Sequence, residues 1–452
     1  MAPVDGGGAS LKSLLRRVRR SEFVRNVATL SGGAAAGQVV AFLVTPIITR
    51  LFDPDALGTF ALFFSLSSII GGISPMSYHL AVLLPKRSDE AGALVTISLI
   101  SVGVVTTATF VTMLFFGEGL AAAFNAPVLS QFPLLLPLAV AALGMDAILR
   151  QWLIRNKQFR PLAMAGLILS VVSAGSRVLS GFAWGSLPAC LIAAFLFARF
   201  ASLVYLGRHA ALSELPAALR SGRSGAIEPR MAREKSGFPL LMTPNDLLNR
   251  LSQESVVLLL GVFFGVGVVG LYQLGRRLLE QPSALLSDAV GQVYLQRASY
   301  QAARHLPLTT GLRNSTLALA ALGIAPFGIL AVAGAPITAL LFGEEWREGG
   351  RYIQYLAPWL YLGFVSRPAN MIFIAVGQLR IKLYWNVGVT VARALAILVG
   401  YYIYRAPIPV IALFGATGMV FNALYILLGF QCARKADREG GPTNHNSAGQ
   451  DE

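Results

Sequence analysis

The sequence has little charge for its length. Of its 452 residues, only 13% are Asp, Glu, Lys or Arg, whereas soluble domains carry about 25%. Hydrophobic residues account for 55% of the chain. This composition predicts a polytopic membrane protein, because each bilayer crossing takes about 20 mostly apolar residues.

Several functional motifs are also missing from the sequence. It has no P-loop, no zinc-ligand spacing and no separate basic domain, so the net charge of +15 does not indicate nucleic-acid binding. We predict no nucleic-acid partner, no metal and no cofactor. Cys190 and Cys432 fall near opposite ends of predicted spans, which excludes a disulfide between them. Residues 11–25 are basic and amphipathic with no small-residue cleavage site after them, so the first span is expected to be retained.

The apolar runs predict an all-α fold with about twelve membrane helices. Their expected bounds are 26–49, 56–84, 89–115, 129–149, 161–184, 187–207, 238–262, 268–296, 314–334, 351–376, 381–403 and 408–430. The predicted spans divide the connections and termini into two sets, one on each side of the membrane. Of the 37 Lys and Arg residues, 26 lie in the set that includes both termini, four lie in the other set and seven lie inside spans. Because cytoplasmic loops carry the excess of Lys and Arg, both termini are predicted to be cytoplasmic.

The two halves of the chain resemble each other weakly, which predicts two six-helix lobes. Residues 51–60 align with 263–272, and Phe116-Gly117-Glu118 aligns with Phe342-Gly343-Glu344. Because each half has an even number of spans, both copies enter from the same side and the repeat is parallel. The predicted domains are a basic cytoplasmic segment, an N-terminal lobe, a cytoplasmic linker, a C-terminal lobe and a disordered cytoplasmic tail, at 1–25, 26–207, 208–236, 237–430 and 431–452.

Polar side chains line one side of each of two neighbouring spans, 238–262 and 268–296. At about 100° per residue, five polar side chains of the first span fall within an arc of about 140°. These are Asp246, Asn249, Arg250, Gln253 and Glu254. The corresponding side chains of the second span are Gln273, Arg276, Arg277, Glu280 and Ser287. A charge at the bilayer centre costs about 2.5–3.5 kcal/mol, so both stripes are expected to face the bundle interior or a wet cavity and to form a pathway for a polar substrate.

Arginines within the spans supply most of the predicted substrate contacts. Arg250, Arg367 and Arg393 lie nearest mid-span and would line a cationic cavity for a pyrophosphate or an acidic sugar. Structural pairing is the alternative, and for Arg250 it is nearly as strong because Asp246 and Glu254 lie one turn away on either side. The predicted substrate-binding set is Arg250, Arg276, Arg277, Arg367, Arg393, Asn249, Gln253 and Gln38.

Carboxylates within the spans are candidates for coupling transport to a proton or cation. Intramembrane carboxylates often have this role in transporters, although partnering an arginine is an equally strong interpretation. The candidates are Asp246, Glu254, Asp288 and Asp146. Arg199 lies near a span end and is expected to extend its charge to the interface. Trp346 and Trp359 are expected at the headgroup level, where amphipathic rings are favoured.

Several motifs together resemble the bacterial polysaccharide, or O-antigen type, flippases. They occur at 21–33, 45–52, 83–86, 247–253, 270–272 and 341–346, within a resemblance that covers roughly 20–430. The resemblance implies a two-lobed, MATE-like exporter in the bacterial inner membrane, moving an undecaprenyl-pyrophosphate-linked oligosaccharide and working with a polysaccharide polymerase and glycosyltransferases. Relatives often carry Arg-Tyr-Glu at the end of the core of helix 2, where this chain has Ser77-Tyr78-His79, so their substrate contacts there cannot be transferred.

The sequence leaves three function classes open. A lipid-linked oligosaccharide flippase working by alternating access explains the mid-span arginines. A cation-coupled multidrug or metabolite antiporter of the same fold is the alternative, although a lipophilic cation would require an anionic lining. A membrane-bound polymerase or glycosyltransferase is disfavoured, because the predicted outer connections are short and gather no cluster of acid and base groups. We therefore expect a transporter and not an enzyme.

Overall fold

The computed structural model describes residues 22–211, 215–222, 227–304 and 306–439. Within these ranges the chain is helical and contains no strand. The α-helices are α1 Glu22–Leu51, α2 Pro54–Ile73, α3 Tyr78–Ala81, α4 Ser88–Phe124, α5 Val128–Gln131, α6 Leu135–Arg155, α7 Phe159–Trp184, α8 Pro188–Ala211, α9 Leu215–Gly222, α10 Ile227–Glu234, α11 Thr243–Phe264, α12 Val266–Ala303, α13 Thr309–Phe342, α14 Arg347–Val365, α15 Arg367–Ala375, α16 Leu379–Tyr404 and α17 Pro407–Glu439. A π-helical turn, Phe238–Met242, precedes α11, and a 3-10 turn, Glu344–Trp346, precedes α14.

Nine helices in the described part of the chain are long and apolar enough to cross a bilayer, so this is a multi-pass membrane protein. Three predicted spans are helical but fall outside those nine. The span at 26–49 is apolar over Ala35–Leu51, whereas those at 268–296 and 351–376 carry charged and polar side chains that lower their hydropathy. The count of twelve stays a prediction.

The described residues divide into two compact units. Within the described residues, the first comprises 22–51, 63–121 and 127–251, and the second comprises 52–62, 122–126 and 252–439. The change of unit at 251–252 falls inside α11. The lobe boundaries predicted from the sequence, with a linker at 208–236, stay a prediction.

One end of the first unit is predicted to face the cytoplasm. Large apolar side chains and one arginine hold this end together. Trp152 of α6 is buried in a cluster with Tyr78 and with Met231 of α10. Arg155, one turn further along α6, donates to the carbonyl oxygen of Val82 at 2.8 Å and also bonds the carbonyl oxygen of Pro85. A guanidinium carries five donors in a fixed fork, so one side chain can hold several carbonyl groups of the connection between α3 and α4.

The second unit contains a close contact between α2 and α12 that repeats itself. A Cβ on Gly58 would lie 1.7 Å from the carbonyl oxygen of Val266, and a Cβ on Gly270 would lie 2.0 Å from the carbonyl oxygen of Pro54. In the alignment of 51–60 with 263–272, Gly58 corresponds to Gly270 and Pro54 to Val266. The contact of Gly58 with Val266 and the contact of Gly270 with Pro54 therefore correspond to each other, as two contacts related by a twofold axis do. This reciprocity supports the predicted internal repeat.

The helices α6 and α15 are followed by the same type of turn. Lys157 and Gly377 both have positive φ, 55° and 75°. The amide of Gln158 donates to the carbonyl of Leu153 at 2.9 Å, and that of Gln378 donates to the carbonyl of Phe373 at 2.8 Å. Each helix thus ends in a left-handed residue followed by a bond back to the last turn, as in a Schellman motif.

Besides helices that run beyond their predicted ends, such as α4 and α13, three predicted bounds require correction. The span predicted at 56–84 ends at Ile73, because Met76 and Ser77 adopt positive φ, 48° and 54°, and turn the chain into α3. The span at 351–376 is divided at Ser366, and Pro368, the second residue of α15, has no N–H to donate to the preceding turn. The tail predicted as disordered from 431 is helical to Glu439, and residues 440–452 lie outside the described part of the chain, as do 1–21 of the predicted basic segment.

Candidate functional site

The second unit contains a polar cavity of about 330 Å³ among α12, α14, α15, α16 and α17. Trp359, Leu360, Gly363 and Phe364 of α14 form its apolar part. Eight of its lining residues are polar: Glu280, Ser283, Ser287, Ser366, Arg367, Asn370, Arg393 and Asn422. A polar cavity within membrane helices provides the wet, protein-lined surroundings that a charged side chain requires there.

Arg393 is held in this cavity by aromatic rings. It lies 14 residues from the start of α16 and 11 from its end, or about 21 Å and 17 Å at the rise of an α-helix. Its guanidinium carbon lies 4.7 Å from the ring centre of Trp359 and 5.8 Å from that of Phe414. The two rings meet edge to face at 5.0 Å and 80°. Stacking on an aromatic face stabilises the cation and fixes the plane of its donors.

Trp359 is packed within the protein. Its side chain is buried, with Gly418 packed against one edge, and Trp346 is fully buried as well. The headgroup level expected for these two rings stays a prediction. The backbone carbonyl of Trp359 accepts a hydrogen bond from Asn422 Nδ2 at 3.1 Å, which joins α14 to α17 beside the cavity.

Two charged side chains of α12 form an ion pair with each other. Arg276 Nε donates to Glu280 Oε2 at 2.7 Å, one turn further along the helix, as the structural interpretation anticipated. Glu280 thus reaches the cavity wall with one oxygen already engaged. Arg277 is partly buried on the same helix and is not among the cavity residues. The structure consequently brings Arg367, Arg393 and the Arg276–Glu280 pair together.

The cavity also has polar atoms that have no hydrogen-bond partner. Arg393 Nε and Asn370 Oδ1 are both buried and unpaired. A buried unpaired donor or acceptor costs about 1–3 kcal/mol, so such atoms need an explanation such as a ligand or water. Asn370 lies three residues after Arg367, and Asn422 is an isolated amide in an apolar span. Sequence reasoning missed both, although the spacing from Arg367, which puts both residues on one helix face, could have indicated Asn370.

Arg250 has a different environment, within the first unit. Its NH1 donates to the carbonyl oxygen of Ser68 on α2 at 3.0 Å. Its guanidinium lies where a Cβ on Gly72 would be, 1.9 Å from the guanidinium carbon, so only glycine leaves room for it. This geometry favours the structural interpretation of Arg250, and its role in substrate binding stays a prediction.

Asp246 lies one turn before Arg250. It contacts Ser77, which belongs to the segment Ser77-Tyr78-His79 that differs from the flippase relatives. Ser77 Oγ lies 3.4 Å from Asp246 Oδ2 and 3.0 Å from Thr243 Oγ1. His79 is buried within electrostatic range of both Asp246 and Arg250. Ser77 thus gives Asp246 a hydroxyl partner in the segment where relatives often have a charge pair.

Asp146 forms a buried network with two arginines in the first unit. Its Oδ2 accepts from Arg150 Nε at 2.6 Å and from Arg199 NH1 at 3.4 Å. Arg199 also lies over the ring of Phe195, 5.6 Å from its centre. The expectation that Arg199 extends to the interface is wrong, because Asp146 offers a buried partner. A carboxylate with two arginines around it has little attraction left for a cation, although its role in coupling stays a prediction.

The remaining predicted residues are scattered. Asn249 and Gln253 are exposed, and Gln38 of α1 and Glu254 are partly buried. Asp288 lies on α12, but its side chain is outside the described part of the structure.

Comparison with known proteins decides the family. A family model described as "Polysaccharide biosynthesis protein" matches residues 47–349. This chain belongs to that polysaccharide biosynthesis family. Over 161 residues it is 26% identical to the teichuronic acid biosynthesis protein TuaB of Bacillus subtilis (strain 168), covering 35% of this chain and 33% of that protein. The match thus spans about a third of the length of this curated relative.

Solved structures show the fold of this family member. It is similar to the lipid II flippase MurJ in an inward closed conformation, with a TM-score of 0.70 and 14% identity over 91% of this chain and 90% of that one. It is also similar to a MATE family multidrug resistance transporter in an inward-facing conformation, with a TM-score of 0.67 and 14% identity over 89% and 96% of the two chains. The predicted MATE-like exporter fold is confirmed.

Proposed function

We propose that this protein is a flippase that moves an undecaprenyl-pyrophosphate-linked oligosaccharide across a bacterial inner membrane by alternating access. The product would serve cell-surface or exopolysaccharide assembly, with both termini in the cytoplasm. The observation that carries the proposal is the polar cavity among the helices of the second unit that holds Arg393 against Trp359. Membership of the polysaccharide biosynthesis family supports a saccharide substrate.

The cavity has properties that such a substrate requires. The lipid tail can stay in the bilayer while the polar head crosses, so the protein has only to solvate the head. Arginine remains charged at mid-membrane and offers a planar fork of donors to anionic oxygens. Arg393 and Arg367 lie on α16 and α15, so they provide cationic contacts from two helices instead of one tight site that would trap the cargo.

Transport without covalent chemistry is part of this proposal. Glu280 is the one carboxylate among the cavity residues, and it accepts a hydrogen bond from Arg276 Nε. We propose that glycosyltransferases build the substrate on the cytoplasmic side and that a polysaccharide polymerase uses it outside. The TuaB match, to a protein named for teichuronic acid biosynthesis, supports a polymer of the cell envelope.

A cation-coupled multidrug or metabolite antiporter is the second candidate, favoured by the MATE fold. A lipophilic cation would be repelled by Arg367 and Arg393 unless their charge were neutralised. Glu280 supplies one carboxylate and is already bonded to Arg276. The charges of the cavity therefore favour an anionic substrate.

Complementation of a deletion strain tests the proposal. Arg393→Ala should abolish polymer export at normal protein level and leave lipid-linked oligosaccharide on the cytoplasmic leaflet, while Arg393→Lys restores part of the export. Arg405→Ala is the matched control, because Arg405 is an exposed arginine that follows α16 and is not among the cavity residues. Normal export by Arg393→Ala would contradict the role of the cavity, and polymer export by the deletion strain itself would contradict the function.

A further inference from the structure

We infer that the cavity of the second unit binds one sugar residue that carries a carboxylate, and so selects acidic oligosaccharides. This inference rests on the proposed function for the source of the sugar. It concerns which part of the substrate occupies the cavity, and it assigns that place to a saccharide ring and not to the pyrophosphate.

The hydrogen-bonding groups of the cavity are the first argument. Asn370 Oδ1 is a buried acceptor without a donor. Ser366 Oγ already donates its hydrogen to the carbonyl of Gly363 at 2.8 Å, and Ser283 Oγ donates to that of Leu279, so both hydroxyls have only acceptor capacity left. The Asn370 oxygen lacks a donor, and the two hydroxyl oxygens can accept from a ligand that carries hydrogen-bond donors. Sugar hydroxyls donate, whereas an ionised pyrophosphate diester has acceptors only.

Glu280 strengthens this argument. Its carboxylate lines the same cavity and is an acceptor with several lone pairs, of which Arg276 Nε takes one at Oε2. The charge of this carboxylate is paired with Arg276, and its remaining lone pairs can accept from the hydroxyl groups of a sugar, whereas an ionised pyrophosphate has no hydrogen to donate to them. The same side chain therefore suits a sugar better than a pyrophosphate.

The charge of the cavity explains why the sugar should be acidic. Arg393 Nε is a buried donor without an acceptor, and Arg367 is a second cation in the lining. Glu280 is the one carboxylate among the lining residues, and its charge is already paired with Arg276. Arg393 has no ion pair among the described residues, and a sugar carboxylate provides one. The stack on Trp359 fixes the Arg393 plane, which suits the planar carboxylate group.

The size of the cavity limits the ligand to a small unit. At about 330 Å³ it lies near the lower end of the range of about 300–1,000 Å³ for small-molecule sites. Such a volume accommodates part of an oligosaccharide and not the whole head group with its pyrophosphate. Leu360 and Phe364 provide apolar surface for the faces of a sugar ring.

Two measurements on the full chain test this inference. In proteoliposomes, transfer is compared for two undecaprenyl-pyrophosphate disaccharides that differ only in a terminal glucuronic acid or glucose, through their exposure to membrane-impermeant periodate. We expect the acidic lipid to cross about tenfold faster, as one charge-assisted hydrogen bond would give. In detergent, free glucuronate should raise the unfolding temperature at a roughly tenfold lower concentration than glucose.

Variants identify the groups responsible. Arg393→Ala should remove both preferences, and Asn370→Asp should do so as well, because it keeps the acceptor but adds a charge that repels the carboxylate. Arg405→Ala should leave both preferences intact. Inorganic pyrophosphate serves as the competing probe and should protect the protein less well than glucuronate.

The outcomes separate the inference from the proposed function. Equal transfer of the two lipids, together with equal effects of glucuronate and glucose, would overturn the inference while the flippase function stands. If neither lipid crosses but glucuronate binds through Arg393, the cavity assignment stands and the proposed function fails. Stronger protection by pyrophosphate than by glucuronate would return the cavity to the diphosphate and overturn the inference.

Discussion

The buried network around Asp146 allows a prediction whose size follows from the structure. The side chains of Asp146 and Arg199 are 11% and 12% exposed, whereas that of Arg150 is 31% exposed. Removing one partner of a buried ion pair costs about 3–5 kcal/mol, because the other charge is left uncompensated. Asp146→Ala should therefore lower the free energy of unfolding by about that amount.

The other members of the network provide matched comparisons. Arg150→Ala should cost about 1 kcal/mol, since the more exposed pair is partly screened by solvent and Asp146 keeps Arg199. The double variant Asp146→Leu, Arg199→Met should recover most of the stability, because apolar residues of similar volume often replace a buried pair without loss. Arg150 can extend its charge towards water in that variant.

Reversible unfolding in mixed micelles measures these free energies, and transport in proteoliposomes is measured beside them. The reasoning would be refuted if Asp146→Ala were as stable as the wild-type protein. Loss of gradient-dependent transport in that stable variant would instead identify Asp146 as a coupling group.

Four further predictions follow from other parts of the molecule. Gly58→Ala should lower the free energy of unfolding by about 3 kcal/mol or prevent folding, because its Cβ meets backbone atoms. Gly261→Ala should cost less, because its Cβ meets the flexible side chain of Leu62, and comparison of the two unfolding midpoints would show the difference. Gly72→Ala should displace Arg250, so its effect on stability and that of Arg250→Ala should not add in the double variant; additive effects would contradict the contact. Transport should fall when both proton and sodium gradients are collapsed, and undiminished transport would exclude coupling to either. A reporter fused within 208–236 should report the cytoplasm, and a periplasmic signal would overturn the predicted topology.

The overall fold was accessible from the sequence because it depends on features that repeat along the chain. Long apolar runs predicted membrane helices, and the likeness of 51–60 to 263–272 predicted an internal repeat, which the reciprocal packing of Gly58 and Gly270 supports. Helix ends were harder to place. The span predicted at 56–84 is interrupted by a turn in which Ser77 has positive φ. Serine adopts this conformation less readily than glycine, so the residue type did not indicate the turn.

The candidate site was only partly accessible, for a physical reason. Helical periodicity shows which side of a helix is polar, but it does not show which polar groups satisfy one another. Arg250 and Arg393 look alike in the sequence, yet one bonds the Ser68 carbonyl and the other stacks on Trp359 in a cavity. Asn370 becomes significant only once its oxygen is found buried and unpaired.

The central claim is that the polar head of a lipid-linked oligosaccharide passes through the cavity of the second unit. Photocrosslinking in growing cells tests it most directly. A photoreactive benzoylphenylalanine replaces Ser283, which lines the cavity, or Val332 of α13, whose side chain is largely exposed and not among the cavity residues. Mass spectrometry then identifies what each position captures. We predict saccharide adducts at position 283 and none at 332; equal saccharide yields at both positions, or none at 283 in an exporting strain, would contradict the account.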